Sequence, residues 1–421
     1  MLSLLPASAV IERGQLRLGG LAAAELADRF GTPLVVYCER TLRERARLFR
    51  AAAPDSLVVY GTKAFPNVAL LALFAEEGLG ADVSTLGELV FAQRAGISGE
   101  RLIVHGNNKS DEELAAAARS GGTVVLDSLD EVARAAAAGV ARVLVRVTPG
   151  VETDTHEAIR TGHHGSKFGL AADDALEAVR QGLAAGLDVA GLHVHVGSQL
   201  ADVRAHVEAI ELLADLALRC RDEFGWTARI VDVGGGFGVR HVPGEAEPDL
   251  EHSVPLLAAA VPRAWIMRGL PPPQVAFEPG RALVGRAGVT LYRVGTVKRA
   301  NAIADVAVDG GMSDNPRPQL YDAAYTALLA SRAEEPPAGE FRIVGKHCES
   351  GDVLIERIAL PEPRRGDVLA VPATGAYTLG MASNYNGVPR PAAVLVGDGE
   401  ARVILRRESV DDLLAREIPA G

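Results

Sequence analysis

The chain has 421 residues, 48% of them hydrophobic, which is enough for a large core and about two to three domains. Its 43 lysines and arginines against 54 acids leave a formal charge of −11, which argues against nucleic acid or an anionic membrane as partner. Three widely spaced cysteines, Cys38, Cys220 and Cys348, make neither a disulfide framework nor a metal-ligand cluster, and no apolar run reaches the ~18 residues of a membrane span.

The first ten residues lack a basic leader and a long apolar core, so no secretory signal is expected. With the reduced cysteines this makes a cytoplasmic protein the expectation. Residues 1–30 give a short strand-like piece and then a helix from Leu21 to Phe30, stopped by Gly31-Thr32-Pro33. Leu34–Tyr37 reads as a strand, and a charged helix follows over Thr41–Ala53.

A rhythm of short β-branched runs then sets in, at Leu57–Gly61, Gly80–Val83, Leu102–His105, Thr123–Asp127, Val143–Val147, Val189–Val196, Ile230–Gly234 and Val275–Glu278. Alanine-rich stretches of helical period separate them, among them Ser110–Ser120, Leu129–Ala138 and Val203–Glu223. Eight strand–helix units over roughly 225 residues match a (β/α)₈ barrel, expected over 31–285. An open doubly wound sheet is the alternative, disfavoured because no Gly-x-Gly-x-x-Gly opens the first unit. After residue 285 the pattern changes to β-rich runs punctuated by Gly and Pro, with a helix expected over Tyr321–Arg332. Residues 1–30 and 286–421 therefore read as a β-rich domain, a barrel or sandwich.

In a barrel the carboxyl ends of the strands carry function. Those ends hold Lys63, Asp82 with Ser84, His105, Arg146, His195 followed by Gly197-Ser198-Gln199, Gly234-Gly235-Gly236, and Glu278-Pro279-Gly280-Arg281. Lys63 ends the apolar run Val58-Val59-Tyr60, where desolvation would lower its amine's pKa and make it a Schiff-base nucleophile. Gly235 and Gly236 leave backbone N–H groups open to an anion, and Ser198 and Arg281 complete a phosphate cup; a glycine turn needed only for packing is the alternative. His195 is open to a purely structural reading as a hydrogen-bonded core histidine. Glu278, a carboxylate closing a buried strand, needs a partner, and a pyridine nitrogen would be one. These parts together specify pyridoxal phosphate.

The chain resembles the fold type III pyridoxal-phosphate decarboxylases, most closely their diaminopimelate branch. The resemblance rests on Tyr60-Gly61-Thr62-Lys63-Ala64-Phe65, His105-Gly106-Asn107-Asn108-Lys109-Ser110, Ser166-Lys167-Phe168-Gly169 and His193-Val194-His195-Val196-Gly197-Ser198-Gln199. It continues through the triple glycine, Glu278-Pro279-Gly280-Arg281, Arg317-Pro318-Gln319-Leu320-Tyr321, Cys348-Glu349-Ser350-Gly351-Asp352, Gly375-Ala376-Tyr377 and Asn384-Tyr385-Asn386.

The resemblance implies that Lys63 binds the cofactor covalently and His195 stacks on its ring, with Asp82 also on the cofactor side. Ser198, Gly235, Gly236, Tyr377 and Arg281 would hold the phosphate, and Glu278 the ring nitrogen. Arg281, Arg317, Tyr321 and Tyr377 would meet the substrate's carboxylates, and Glu349 its distal amine. Cys348 would return a proton to the substrate, arriving with Glu349 from the other subunit of a homodimer; no metal is implied. The implied reaction is decarboxylation of meso-diaminopimelate to lysine. Sibling decarboxylases acting on ornithine, lysine, arginine or a carrier-linked amino acid are alternatives, as are a racemase, which Glu278 disfavours, and a cofactor-free relative. Three stretches depart from the family: Lys346-His347 before Cys348, Thr326 after Tyr325, and Arg240-His241 after the glycines.

Overall fold

The computed structural model describes residues 1–150, 166–200, 202–299 and 303–418. The chain forms two compact units, one of Met1–Glu44, Val239–Ala246 and Leu283–Gly421, the other of Arg45–Gly238 and Glu247–Ala282. The first opens with a small antiparallel sheet, β1 (Val10–Glu12), β2 (Gln15–Leu18) and β3 (Leu21–Ala22), then α1 (Ala23–Phe30) and β4 (Leu34–Cys38). Helix α2 (Glu39–Ala52) follows.

The second unit is a closed, all-parallel barrel of eight strands in chain order: β5 (Leu57–Gly61), β6 (Gly80–Val83), β7 (Leu102–Val104), β8 (Thr123–Leu126), β9 (Arg142–Val147), β10 (Asp188–Val194), β11 (Ile230–Asp232) and β12 (Gln274–Phe277). β12 closes the ring on β5 through Ala276–Leu57 and Phe277–Val58. Among the described residues, each strand from β5 to β11 is followed by one α-helix: α3 (Val68–Glu76), α4 (Leu86–Arg94), α5 (Asp111–Ser120), α6 (Leu129–Ala137), α7 (Ala172–Ala184), α8 (Arg204–Phe224) and α9 (Leu250–Met267). The eight sequence runs fall on the eight strands. Local chemistry starts the helices where the strand ends need them. The Asn67 side chain accepts from the N–H groups of Ala69 and Leu70 to begin α3, and Ser110 with Glu113 forms a capping box on α5, which Gly121 ends in the left-handed region. Val59, Ile103, Val125, Leu144 and Ala190, from five strands, fill one buried layer.

After β12 come α10 (Arg281–Val284), β13 (Gly288–Lys298), β14 (Ala304–Val308), α11 (Arg317–Tyr321), β15 (Leu328–Leu329), β16 (Gly339–Val344), β17 (Val353–Leu360), β18 (Val368–Pro372), β19 (Ala392–Gly397), β20 (Glu400–Leu405) and α12 (Val410–Leu414). Nine strands join in one sheet along β17-β16-β14-β13-β4-β19-β20, with β18 on β13 and β15 on β18. The strand-like run at Leu34–Tyr37 is β4, hydrogen-bonded to β13 and β19, so it belongs to this sheet.

The helix expected over Tyr321–Arg332 is not formed. The α11 turn ends at Tyr321, where Asp322 takes a left-handed φ of 50°, and Leu328–Leu329 pairs with β18. Burial of Leu328 and Leu329 on a sheet overrides the helical propensity of the alanines around them. Among the described residues no helix is long and apolar enough to cross a membrane.

Candidate active site

Lys63 lies one residue inside the single 3₁₀ turn Thr62–Ala64 that follows β5. Tyr60 holds this turn closed: its hydroxyl donates to the Phe65 carbonyl at 3.0 Å and accepts the Phe65 N–H at 3.1 Å. The Gly61 N–H donates to the Pro279 carbonyl at 3.2 Å, tying the lysine turn to the Glu-Pro-Gly-Arg turn after β12. The Lys63 side chain is exposed in the protomer, where the apolar strand before it had suggested burial. Its charge acts on its neighbours: it favours the ionised forms of Asp82 and Glu88, whose pKa values burial raises, and adds to the burial that keeps His195 low.

Glu278 sits at the centre of a buried polar cluster. Its Oε1 is 2.5 Å from Nε2 of His105, and its Oε2 is 3.3 Å from Nε2 of His193. Nε2 of His105 is also 3.7 Å from Oδ1 of Asp82. Burial alone would raise the Glu278 pKa, but His105 and His193 outweigh it and hold the carboxyl well below its usual range. The two neighbouring acids go the other way. Asp232 is pushed well above the carboxylate range by burial and by the Glu278 charge, and Asp82 is raised by burial against the pull of His105. His193 is pushed down to about 4 by burial, only partly offset by Glu278, so it is a neutral donor to that carboxylate. Ligand atoms of His105, His193 and Glu278 all lie within 4.8 Å of one another. At 2.5 Å the His105–Glu278 contact is a direct, charge-assisted hydrogen bond, which accounts for the grouping without a metal.

The triple glycine forms a cradle no other residue could make. A Cβ at Gly234 would lie 2.5 Å from the Val194 carbonyl, one at Gly235 2.3 Å from the Glu278 carbonyl, and one at Gly236 2.6 Å from the Gly197 carbonyl. Gly234 and Gly236 also have φ of +72° and +90°. The Gly235 N–H donates to Nδ1 of His195 at 3.2 Å, which requires a lone pair there. Burial, then the charges of Lys63 and Arg146, keep His195 well below its usual value, so it is a neutral, half-buried ring. His206 on α8 donates from Nε2 to the Gly235 carbonyl at 2.9 Å and stacks on Phe237 at 5.5 Å. Beside the cradle, Nη2 of the buried Arg281 is 3.5 Å from Oγ of Ser198. A backbone pocket that only glycine permits, a buried guanidinium with a hydroxyl, and an ionised carboxylate are the donor set that a phosphate and a protonated pyridine ring require, so these residues fit pyridoxal phosphate.

Two quoted motifs turn out to be braces. Lys109 is buried and donates from Nζ to the carbonyls of Gly106 and Val125, both at 2.7 Å, and to Glu131 at 2.8 and 3.0 Å. Arg146 lies over the Phe168 ring at 4.5 Å, with Nη1 3.4 Å from Asp127, while Asp127 Oδ2 accepts the Gly169 N–H at 3.1 Å.

Lys63, Asp82, His195, Ser198, Gly235, Gly236, Glu278 and Arg281 thus share the barrel unit, whereas Arg317, Tyr321, Cys348, Glu349 and Tyr377 belong to the other. In that unit Nη1 of the buried Arg317 donates to the Tyr325 hydroxyl at 2.6 Å and to Nε2 of His241 at 3.0 Å. Tyr321 closes α11, half-buried. Tyr377 holds a left-handed φ of 58°, a strain that non-glycine residues bear mainly at functional positions. Cys348 and Glu349 are exposed on a loop whose backbone is fixed by Asn386, which accepts the Cys348 N–H at 2.9 Å. Beneath it the buried His347 meets Asp352 through Nδ1 at 2.6 Å and stacks on Tyr385.

Sequence reasoning gave no role to His193, Asp232, His206, Arg146 or Lys109. His193 was within reach, because it lies near the end of β10, two residues before His195. His206 carried no signal: it lies on a helix and acts through a stacking contact.

Residues 39–285 match the family model for the pyridoxal-dependent decarboxylase, pyridoxal binding domain. A diaminopimelate decarboxylase of Actinosynnema pretiosum subsp. auranticum is 49% identical over 98% of this chain and 95% of its own. That of Bacillus subtilis is 41% identical over 97% and 96%. The crystal structure of diaminopimelate decarboxylase from M. jannaschii in complex with L-lysine superposes with a TM-score of 0.90 at 30% identity, covering 98% of each chain.

Proposed function

The chain belongs to the pyridoxal-dependent decarboxylases, in their diaminopimelate decarboxylase family, and from that premise we propose that it converts meso-2,6-diaminopimelate to L-lysine and carbon dioxide, the last step of lysine biosynthesis. The observation that carries the chemistry is the ionised, buried Glu278 at a strand end of the same barrel as Lys63 and the glycine cradle.

Bound pyridoxal phosphate supplies the electron sink for the pair left on the substrate's α-carbon when its carboxylate departs. The residues of the chain prepare and complete that step. Nζ of Lys63 would anchor the cofactor. The cradle at Gly235 and Gly236, with Ser198, Arg281 and Tyr377, would hold the phosphate. Glu278 would keep a proton on the ring nitrogen, the neutral His195 would serve the ring without adding a charge there, and Asp82 would support the cofactor side through His105. Arg317 and Tyr321 take the distal carboxylate and Glu349 the distal amine, so a substrate with both charges at its distal end is selected over ornithine or lysine, which lack the distal carboxylate. As the carbon–carbon bond breaks and carbon dioxide leaves, Sγ of Cys348 delivers its proton to the α-carbon and regains one from solvent. The exposure of Cys348 and Glu349 supports a homodimer in which each protomer lends this loop to its partner. Three free cysteines support a reducing, cytoplasmic location.

Carbon dioxide release from meso-diaminopimelate, lysine, ornithine and arginine tests the assignment. Turnover on diaminopimelate at least ~100-fold above the other three is expected, because losing a buried ion pair costs several kcal/mol. Equal or greater release from a mono-carboxylate diamine precursor would overturn the substrate.

A further inference from the structure

Glu278 is buried beside two other buried carboxyls, Asp82 on β6 and Asp232 on β11. Three acids in one dry cluster cannot all ionise, and the like-charge penalty decides which one does. The deciding contacts are the histidines. His105, at the end of β7, and His193, on β10, grip the two oxygens of Glu278 at 2.5 and 3.3 Å, and their rings meet edge to face with centroids 4.8 Å apart. Asp232 has no such pair: its Oδ1 accepts the Gly234 N–H at 2.8 Å, and its side chain shares a hydrogen bond with Glu278 itself, which favours the protonated form of Asp232. The other charged or titratable groups around the cluster are Arg146 on β9, His195 after β10, and Lys63 after β5.

We propose that His105 and His193 are positioning residues that choose Glu278 as the ionised acid of the cluster and aim it, and through it set the protonation of the cofactor's ring nitrogen. The inference rests on the reading of Glu278 as the partner of that nitrogen. The two histidines point at separate oxygens, so together they fix both the charge and the plane of the carboxylate, which one donor could not do. Without them Glu278 becomes a third uncompensated buried acid. Burial then favours its neutral form, and a neutral carboxyl holds no proton on a pyridine nitrogen.

The test is carried out on holoenzyme reconstituted with pyridoxal phosphate labelled with ¹⁵N in the ring, comparing wild type, His105→Asn/His193→Asn and Glu278→Gln. The ring-nitrogen chemical shift reports its protonation directly, whatever the turnover. The double variant is expected to keep its cofactor, because Lys63 and the glycine cradle are untouched, and to show the unprotonated shift of Glu278→Gln. Its decarboxylation should fall at least ~100-fold, in line with loss of an electrostatic group that acts on the developing charge. A protonated ring nitrogen in the double variant overturns the proposal, and so does loss of the cofactor, which would assign the histidines to binding. A protonated nitrogen in Glu278→Gln overturns the reading of Glu278 itself, a separate result. If the double variant does not fold, the single variants His105→Phe and His193→Phe, each of which removes one of the two donors, replace it. Each should move the shift part of the way, and no movement in either overturns the proposal.

Discussion

Glu278 and Asp314 show how differently burial treats one functional group. Glu278 is held ionised by two histidines, whereas Asp314 meets the Gly311 N–H, at 3.2 and 3.1 Å, and the Tyr292 hydroxyl at 3.1 Å. Burial therefore prevails at Asp314 and pushes it up to about 7. The folded chain holds this proton where the unfolded chain, near 3.9, has released it, so stability is lost as pH rises from ~4 through about 7. Asp314→Asn keeps the acceptor and removes the titration. Relative to this variant, wild type is expected to lose ~1.4 kcal/mol of stability per pH unit across that window. Denaturant midpoints at pH 4.5 and 7.5 check it; parallel pH dependence in the two proteins would mean that Asp314 is ionised in the fold. At this scale the sequence was readable wherever a residue type is rare in its setting, as Glu278 is at the end of an apolar strand. It was silent on Asp232 and His206, because what they do is set by neighbours more than 25 positions away in the chain, such as Gly235 for His206. Lys63 was found for a reason that only half held: its place at the strand end is as expected, but it is exposed in the protomer.

The elements around the site are stapled by side chains as much as by the barrel's ladder. Lys109 and Glu131 join the turn after β7 to the end of β8 and the start of α6: the ammonium satisfies two carbonyls and a carboxylate, and Glu131 Oε2 also accepts the Asp127 N–H at 2.8 Å. Both partners are almost fully buried. Lys109→Met should destabilise the protein by about 3–5 kcal/mol, because it strands a buried carboxylate, while Lys109→Met/Glu131→Leu should recover much of the loss. Urea unfolding of the three proteins measures this, and a cost under ~1 kcal/mol for the single variant would show that water replaces the ammonium. Periodicity revealed all eight barrel strands, because a parallel strand buried on both faces is a compact apolar run. The same reasoning failed at Tyr321–Arg332. There alanine content favours a helix, but Asp322 turns left-handed and Leu328–Leu329 has a strand to pair with 40 residues on, at Leu369–Ala370.

For the molecule as a whole, the sequence carried the division into barrel and β-rich sheet through the change from βα rhythm to Gly- and Pro-punctuated strands. It could not carry the return of β4 to the late sheet, since a strand's partner is not written in its own residues. The same limit applies to assembly, where one protomer offers an exposed Cys348 and Glu349 on a loop braced by Asn386 and by the His347–Asp352 contact. The proposed homodimer would bring these groups to the site of a second copy. If each site combines Lys63 of one protomer with Cys348 of the other, Lys63→Ala and Cys348→Ala are each inactive alone. Random exchange between equal amounts of the two makes half the dimers hybrids. Each hybrid carries one site with both defects and one with neither, so about a quarter of wild-type activity should return. Dissociation in mild denaturant followed by dilution, with exchange verified by differently tagged chains, provides the measurement. Hybrid dimers with no recovered turnover would place Lys63 and Cys348 of a single chain in the same site.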